Sequence, residues 1–157
     1  MTKHDADQTQ WGKTSFDHTG FITSDIKRSV KFWTEVMGFE AQPIGARKKP
    51  WIADFMGVPG AEVRLVHLYG HGAHIEFIEF QTAKGEAIRP AGNQPGVAHV
   101  CLRVENLDPL IARINQNGGA SQGKLTEISE GIASGLRGLY MRDPDGILIE
   151  LVELAKE

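Results

Sequence analysis

The sequence predicts an α+β fold of two tandem βαβββ modules whose curved mixed sheets flank a cleft. Three observations predict it. Two histidine-bearing strand starts, Asp17-His18-Thr19 and Ala98-His99-Val100, each lead to a polar helix start, Asp25 or Asn106, seven residues after the histidine. Each helix start opens an apolar stripe at helical spacing that stops at glycine. Each half then closes on the run apolar-Glu-apolar-apolar-Glu-apolar, at Ile75 to Phe80 and again at Ile149 to Leu154.

Taken in order, residues 1–13 are a polar tail of mixed charge. The first module, about 14–80, begins with a strand at Asp17 to Ile22. Ser24-Asp25 then caps a helix whose apolar face is Ile26, Val30, Trp33 and Met37, ending at Gly38. Val63 to Tyr69 and Ile75 to Phe80 alternate as strands do, and Gly70-His71-Gly72 between them signals a hairpin. Residues 81–95, with Gly85, Pro90, Gly92 and Pro95, read as a linker. The second module, about 96–154, repeats the order: strand Ala98 to Val104, a helix with Leu107, Leu110, Ile111 and Ile114 ending at Gly118-Gly119, then strands Leu136 to Met141 and Ile149 to Leu154 around Asp143-Pro144-Asp145-Gly146. So short a unit does not cover its own sheet, so the halves are expected to pack as one domain over residues 14–154.

Composition narrows the function. Of 157 residues 41% are hydrophobic, and 17 Lys+Arg against 20 Asp+Glu leave a net charge of -3, so no basic field exists to hold nucleic acid or an anionic membrane. No apolar stretch approaches a membrane span, and the N-terminus lacks the apolar region of a signal peptide. The lone Cys101 excludes an intrachain disulfide and a cysteine-based zinc site; it fits a reducing cytoplasm and, in a strand, reads as a small buried hydrophobe. The partner this leaves is a small molecule.

Alternation puts Glu76 on one strand face with His74, Ile78 and Phe80, and Glu79 on the other. Pseudo-symmetry between the halves then groups His18 and Glu76 with His99 and Glu150. Two imidazoles and two carboxylates on four strands suit one divalent ion, Zn, Ni, Co, Mn or Fe, and make the cleft a metal-binding one. Four ionisable residues repeated in register are more than core packing requires. Such an ion would bind two oxygens of a small α-oxygenated carbonyl substrate as a Lewis acid and stabilise an enediolate, with Glu76 or Glu150 as the base. Arg47, Lys48 and Trp51, in the long connection before Val63, are candidates to close over an anionic substrate tail, against the plainer reading of a solvated loop. Arg137 lies in the glycine-rich stretch 129–138, either a lid or an ordinary connection. His67, His71 and His74 offer donors for a second metal, but Gly70 and Gly72 make a hairpin turn the simpler account.

The chain resembles the vicinal oxygen chelate superfamily, which includes glyoxalase I, bleomycin resistance proteins, methylmalonyl-CoA epimerase and extradiol dioxygenases. The carriers are Asp17-His18-Thr19 with Phe32-Trp33 and Gly38-Phe39, Ile75-Glu76-Phe77, Gly96-Val97-Ala98-His99-Val100, and Arg142-Asp143-Pro144-Asp145-Gly146 leading to Ile149-Glu150-Leu151. The resemblance implies paired βαβββ modules, a homodimer, metal ligands at His18, Glu76, His99 and Glu150, and, from glyoxalase I, a catalytic role for Glu76 and Glu150. It places a glyoxalase-type lyase or isomerase first. The alternative is an Fe(II) extradiol-type dioxygenase on a catechol-like substrate, held by His18, His99 and Glu150; its motif also carries an upstream histidine, and Glu130 to Gly138 contains none. A third expectation, a metal-free protein that sequesters a small ligand, sits poorly with four retained ligand positions.

Overall fold

The computed structural model describes residues 12–154; residues 1–11, most of the expected tail, lie outside them. The first half contains β1 (Thr19–Ile22), α1 (Ile26–Glu35), β2 (Glu40–Ala41), β3 (Gly45–Arg47), α2 (Trp51–Met56), β4 (Val63–Gly70) and β5 (Ala73–Phe80). The second contains β6 (His99–Arg103), α3 (Leu107–Gln116), β7 (Ala120–Ser121), β8 (Thr126–Glu127), β9 (Arg137–Arg142) and β10 (Leu148–Glu153). Each half is βαβββ-like, with one strand position split into two short pieces. The connection before Val63 is not an open loop, since it carries β3 and α2.

Both sheets are mixed. The first runs β1-β5-β4-β2 with β3 also on β4, and the second runs β6-β10-β9-β7 with β8 also on β9. β1 pairs β5 and β6 pairs β10 in parallel, while the remaining pairs are antiparallel. The curvature expected of the sheets is absent. Both are open, neither curled nor closed, and no strand of one pairs with a strand of the other. The edges far from β1 and β6 are strands of two or three residues, too short to supply the ladder that closure needs.

Helix α1 starts where the sequence indicates: the Asp25 carboxylate accepts the N–H groups of Lys27 and Arg28 at 3.1 Å. Helix α3 is capped differently. Asn106 makes no side-chain cap bond, and Glu153 on β10 accepts the Leu107 N–H at 2.7 Å instead. Trp33, Val66, Leu68, Ile75 and Phe77 from the first half pack with Leu107, Ile114, Met141, Ile149 and Leu151 from the second, so the halves share one core.

The second glutamate of each repeated run belongs to that interior. Glu79 is buried and paired with Arg64 across the β4–β5 ladder, and Glu153 is buried and paired with Arg137 across the β9–β10 ladder. The alternation that sets Glu79 apart from Glu76 therefore holds in both modules.

A turn joins the halves. Within Asp143-Pro144-Asp145-Gly146, the Asp143 carboxylate accepts the N–H groups of Asp145 and Ile147 at 2.9 Å and the buried Trp33 indole N–H at 3.1 Å. Asp145 reaches into the first half, accepting from the Ser24 N–H, the hydroxyls of Thr23, Ser24 and Ser29, and the Arg28 guanidinium. Burial alone would raise Asp145, but the Ser24 and Thr23 hydrogen bonds and the Arg28 charge outweigh it and hold the carboxyl below its usual range. Because the folded value is lowered, this stabilisation is full above the ordinary carboxylate value of about 3.9 and is lost as pH falls through the lower folded one. Asp145→Asn is expected to cost about 1–3 kcal/mol at neutral pH by urea unfolding. That difference from the unsubstituted protein should shrink below about pH 4.

Candidate metal centre

The β4–β5 turn decides which residues meet. His71 and Gly72 have φ of 54° and 75°, the left-handed pair of a two-residue hairpin loop. That loop sets the register His67 opposite Glu76 and Tyr69 opposite His74. On the other side of β5, Gly20 stands beside Glu76. His18, two residues before Gly20, thus shares a face with Glu76, His67, His74 and Tyr69. The second sheet has the same construction, with Cys101 and Tyr140 flanking Glu150 and His99 two residues before Cys101.

His18 Nε2 lies 3.5 Å from Glu76 Oε2, and His67 Nε2 lies 3.6 Å from Glu76 Oε1. His18 Nδ1 is 2.5 Å from Asp17 Oδ1, and His67 Nδ1 is 3.0 Å from His74 Nε2. His74 Nδ1 in turn faces Asp17 at 3.9 Å. In the second sheet His99 Nε2 is 3.0 Å from Glu150 Oε2, which also accepts the Tyr140 hydroxyl at 3.0 Å. The structure thus brings His18 to Glu76 and His99 to Glu150. Among the described residues no ion pair within 4.0 Å joins one couple to the other.

Asp17, His18 and His74 form a candidate three-donor metal site, their ligand atoms all within 4.8 Å of one another. The wider donor set also suits a divalent ion. Two donors about 2.1 Å from one ion stand about 3.0 Å apart in octahedral and about 3.4 Å in tetrahedral geometry; His99–Glu150 at 3.0 Å matches the first, and His18–Glu76 at 3.5 Å lies just beyond the second.

Other predicted positions fall elsewhere. Arg47 ends β3 and Trp51 opens α2, with Lys48 between them; Trp51 is exposed and packs edge-on against Phe55. Arg137 faces Glu153 and Asp108, each at 3.2 Å, on the side of its sheet away from Glu150. Cys101 is exposed rather than buried, a correction that follows from its place beside Glu150 on the outer face. Partial burial and then the Glu150 carboxylate push its thiol up, so it stays protonated near neutral pH. His71 belongs to the turn, with Nε2 2.8 Å from the Met37 carbonyl. Tyr140 and Asp17 are site residues to which the sequence pattern gave no role, and His67, there only a possible donor for a second metal, stands beside Glu76 instead. Counting back from a two-residue loop at His71-Gly72 pairs 67 with 76, and that was the available signal.

Residues 15–151 match the Glyoxalase/Bleomycin resistance protein/Dioxygenase superfamily. The chain belongs to this superfamily. A lactoylglutathione lyase of Salmonella typhimurium is 28% identical over 137 residues, covering 87% of this chain and 90% of that protein. A 2-epi-5-epi-valiolone epimerase of an Actinomyces species is 24% identical over 149 residues, covering 91% and 81%. A glyoxalase family protein of Bacillus cereus superposes with a TM-score of 0.81 at 20% identity, covering 94% and 99% of the two chains. Among the described residues no helix is long and apolar enough to cross a membrane.

Electrostatics separate the two halves of this superfamily member. The hydrogen bond to Asp17 raises His18 above the ordinary imidazole value, against the opposing effect of burial and with help from Glu76; the same bond lowers Asp17. In the second sheet, burial and then Glu150 raise the Tyr140 hydroxyl, which keeps it a donor at neutral pH. Asp17→Asn should return the His18 titration midpoint toward about 6.5, followed by proton NMR of the imidazole on metal-free protein. An unmoved midpoint would show that Asp17 does not hold the ring.

Proposed function

We propose that this chain is a divalent-metal-dependent isomerase or lyase of the glyoxalase type, acting on a small α-oxygenated carbonyl substrate. The observation that carries the reading is the repeated register: a histidine, then two residues on a position paired with a glutamate, once at His18, Gly20 and Glu76 and again at His99, Cys101 and Glu150. Similarity to lactoylglutathione lyase supports the chemistry. His18, Glu76, His99 and Glu150 are the ligand set. The bound ion supplies Lewis-acid polarisation of the substrate oxygens.

The chain's own groups divide the work. Glu150 is anchored by the Tyr140 hydroxyl, whereas Glu76 faces the His18 and His67 rings at 3.5 and 3.6 Å, and Glu76 is the base. Glu76 takes the proton beside the carbonyl and returns it at the neighbouring carbon. Ile78, Phe80 and Val63 continue the Glu76 face under Ile52 of α2, an apolar wall that excludes water beyond the carboxylate. Arg47, Lys48 and Trp51, at the corner leading into α2, bind an anionic tail.

The two His–Glu couples belong to different sheets, and among the described residues no ion pair joins them, so we infer a homodimer in which the first module of one copy faces the second module of its partner.

Tag-free protein purified without oxygen should carry about one equivalent of Zn, Ni, Co or Mn per chain. Iron would favour the extradiol dioxygenase, and no ion after reconstitution would favour a ligand-sequestering protein. Glu76→Gln should slow exchange of the substrate's α-proton with deuterated water at least about 100-fold. Unchanged exchange would remove Glu76 from the mechanism. Co-refolding equal amounts of Glu76→Gln and Glu150→Gln should restore about a quarter of full activity, because half the dimers pair unlike chains and hold one intact site of two. A site contained within one chain predicts no recovery.

A further inference from the structure

Of the chain's eight arginines, seven are engaged within the protein. Arg28, Arg64 and Arg137 face carboxylates, while Arg47, Arg89 and Arg113 donate to backbone carbonyls. Arg142 donates to the Gln122 side chain and to two carbonyls. Arg103 is the exception. Among the described residues its guanidinium has no hydrogen-bond partner and no carboxylate within 4.0 Å.

The position of that cation on the sheet gives it a use. β6 alternates between exposed and half-buried residues, with His99, Cys101 and Arg103 on the exposed side. Cys101 pairs with Glu150 and Arg103 with Val152. Arg103 therefore shares the outer face with Glu150, one strand across and two residues, about 7 Å, along it.

We propose that Arg103 binds a carboxylate of the substrate, which makes the substrate an α-oxygenated carbonyl compound with a carboxylate a few carbons from the reacting carbon. The proposal rests on the metal-dependent reading above and adds the group that selects among its substrates.

The surroundings of Arg103 narrow the anion. A cavity of about 570 Å³ at the ends of β6 and β10 is lined by Arg103, Glu105, Asn106 and Leu154, with Val104. Glu153 has taken over the capping of α3, so the Asn106 amide is left to the cavity. The guanidinium presents a planar fork of donors that a carboxylate matches with two parallel bonds. Glu105 limits the charge: a second negative charge in the same cavity is repelled, which favours a carboxylate over a phosphate dianion. Val152 and Leu154 continue the Glu150 face and give the connecting carbons an apolar path.

The first half shows the same position without a charge. Ile22 stands two residues beyond Gly20 as Arg103 stands two beyond Cys101; it pairs with Ile78 as Arg103 pairs with Val152, and it is 58% exposed. Beyond Glu76 the outer face is apolar, and beyond Glu150 it is cationic. A substrate between the two faces is thereby oriented, its carbon chain on the first module and its carboxylate on the second. Arg47 is a different anchor. It stands on β3, two strands from Glu76, and already donates to the Ala46 carbonyl at 3.2 Å.

The test uses two acids that are alike at the end that meets the metal: 2-oxoglutarate, which carries a distal carboxylate, and 2-oxopentanoate, which lacks it. Calorimetric titration of the zinc-loaded protein should give 2-oxoglutarate an affinity at least about tenfold higher. Arg103→Gln should bring the ratio of the two affinities close to one, and Arg103→Lys should keep part of it. Both acids are read on the same sample, so a loss of folded protein does not change the ratio. Equal affinities for the unsubstituted protein would overturn the proposal, and so would a preference that survives Arg103→Gln. A preference lost in Arg47→Gln and kept in Arg103→Gln would overturn it by moving the carboxylate to the first module. In each of these cases both acids still bind and the metal-dependent reading stands. Binding of neither acid in the presence of zinc would remove that reading and this proposal with it.

Discussion

Asp145 is the constraint on which the rest of the arrangement depends. One carboxylate from the β9–β10 turn gathers an N–H, three hydroxyls and a guanidinium from the corner between β1 and α1. The first turn of α1 is also where the helix dipole favours an anion. Next to it, Asp143 is held inside the protein by the Trp33 indole and its own turn, at the cost of a carboxyl that burial pushes up. The halves are therefore locked through the helix side of their sheets, and the opposite faces are free to carry Glu76 and Glu150.

That division explains why each closing strand needs two glutamates. Glu76 and Glu150 stand on the outer faces among polar groups, while Glu79 and Glu153 are buried and neutralised by arginines directly across the ladder. A buried carboxylate without such a partner would be strongly destabilising. Glu153 also takes the first free N–H of α3, so one side chain fastens β9, β10 and the helix together.

Much of this was legible in the sequence. The repeat, the order of elements, α1 with its Asp25 cap, and the opposite facing of Glu76 and Glu79 follow from periodicity and from the one-residue parity of a strand. Sheet curvature was not legible, because it depends on whether edge strands are long enough to pair, and β2, β3, β7 and β8 are fragments that no alternation marks. The partner of Arg137 escaped for a related reason: its register with Glu153 passes through the longer β9–β10 turn, which fixes no simple count. Asn106 matches Asp25 in position but not in charge, and an anion from another strand replaced it as the cap.

The two outer faces are symmetric in register and unlike in chemistry, and the difference has a physical basis. On the second sheet the residue opposite the glutamate is a tyrosine whose raised pKa keeps its proton on, so it satisfies Glu150 without any ion. On the first sheet the same place holds an imidazole. Asp17, its side chain largely exposed at 79%, orders the neighbouring rings from the solvent side. A carboxylate already satisfied by a hydroxyl is a fixed anion, whereas Glu76 faces two imidazoles, His18 and His67, at 3.5 and 3.6 Å. The candidate three-donor metal site of Asp17, His18 and His74 accordingly lies on the first half, while the second half satisfies its glutamate with a hydroxyl and an imidazole of its own.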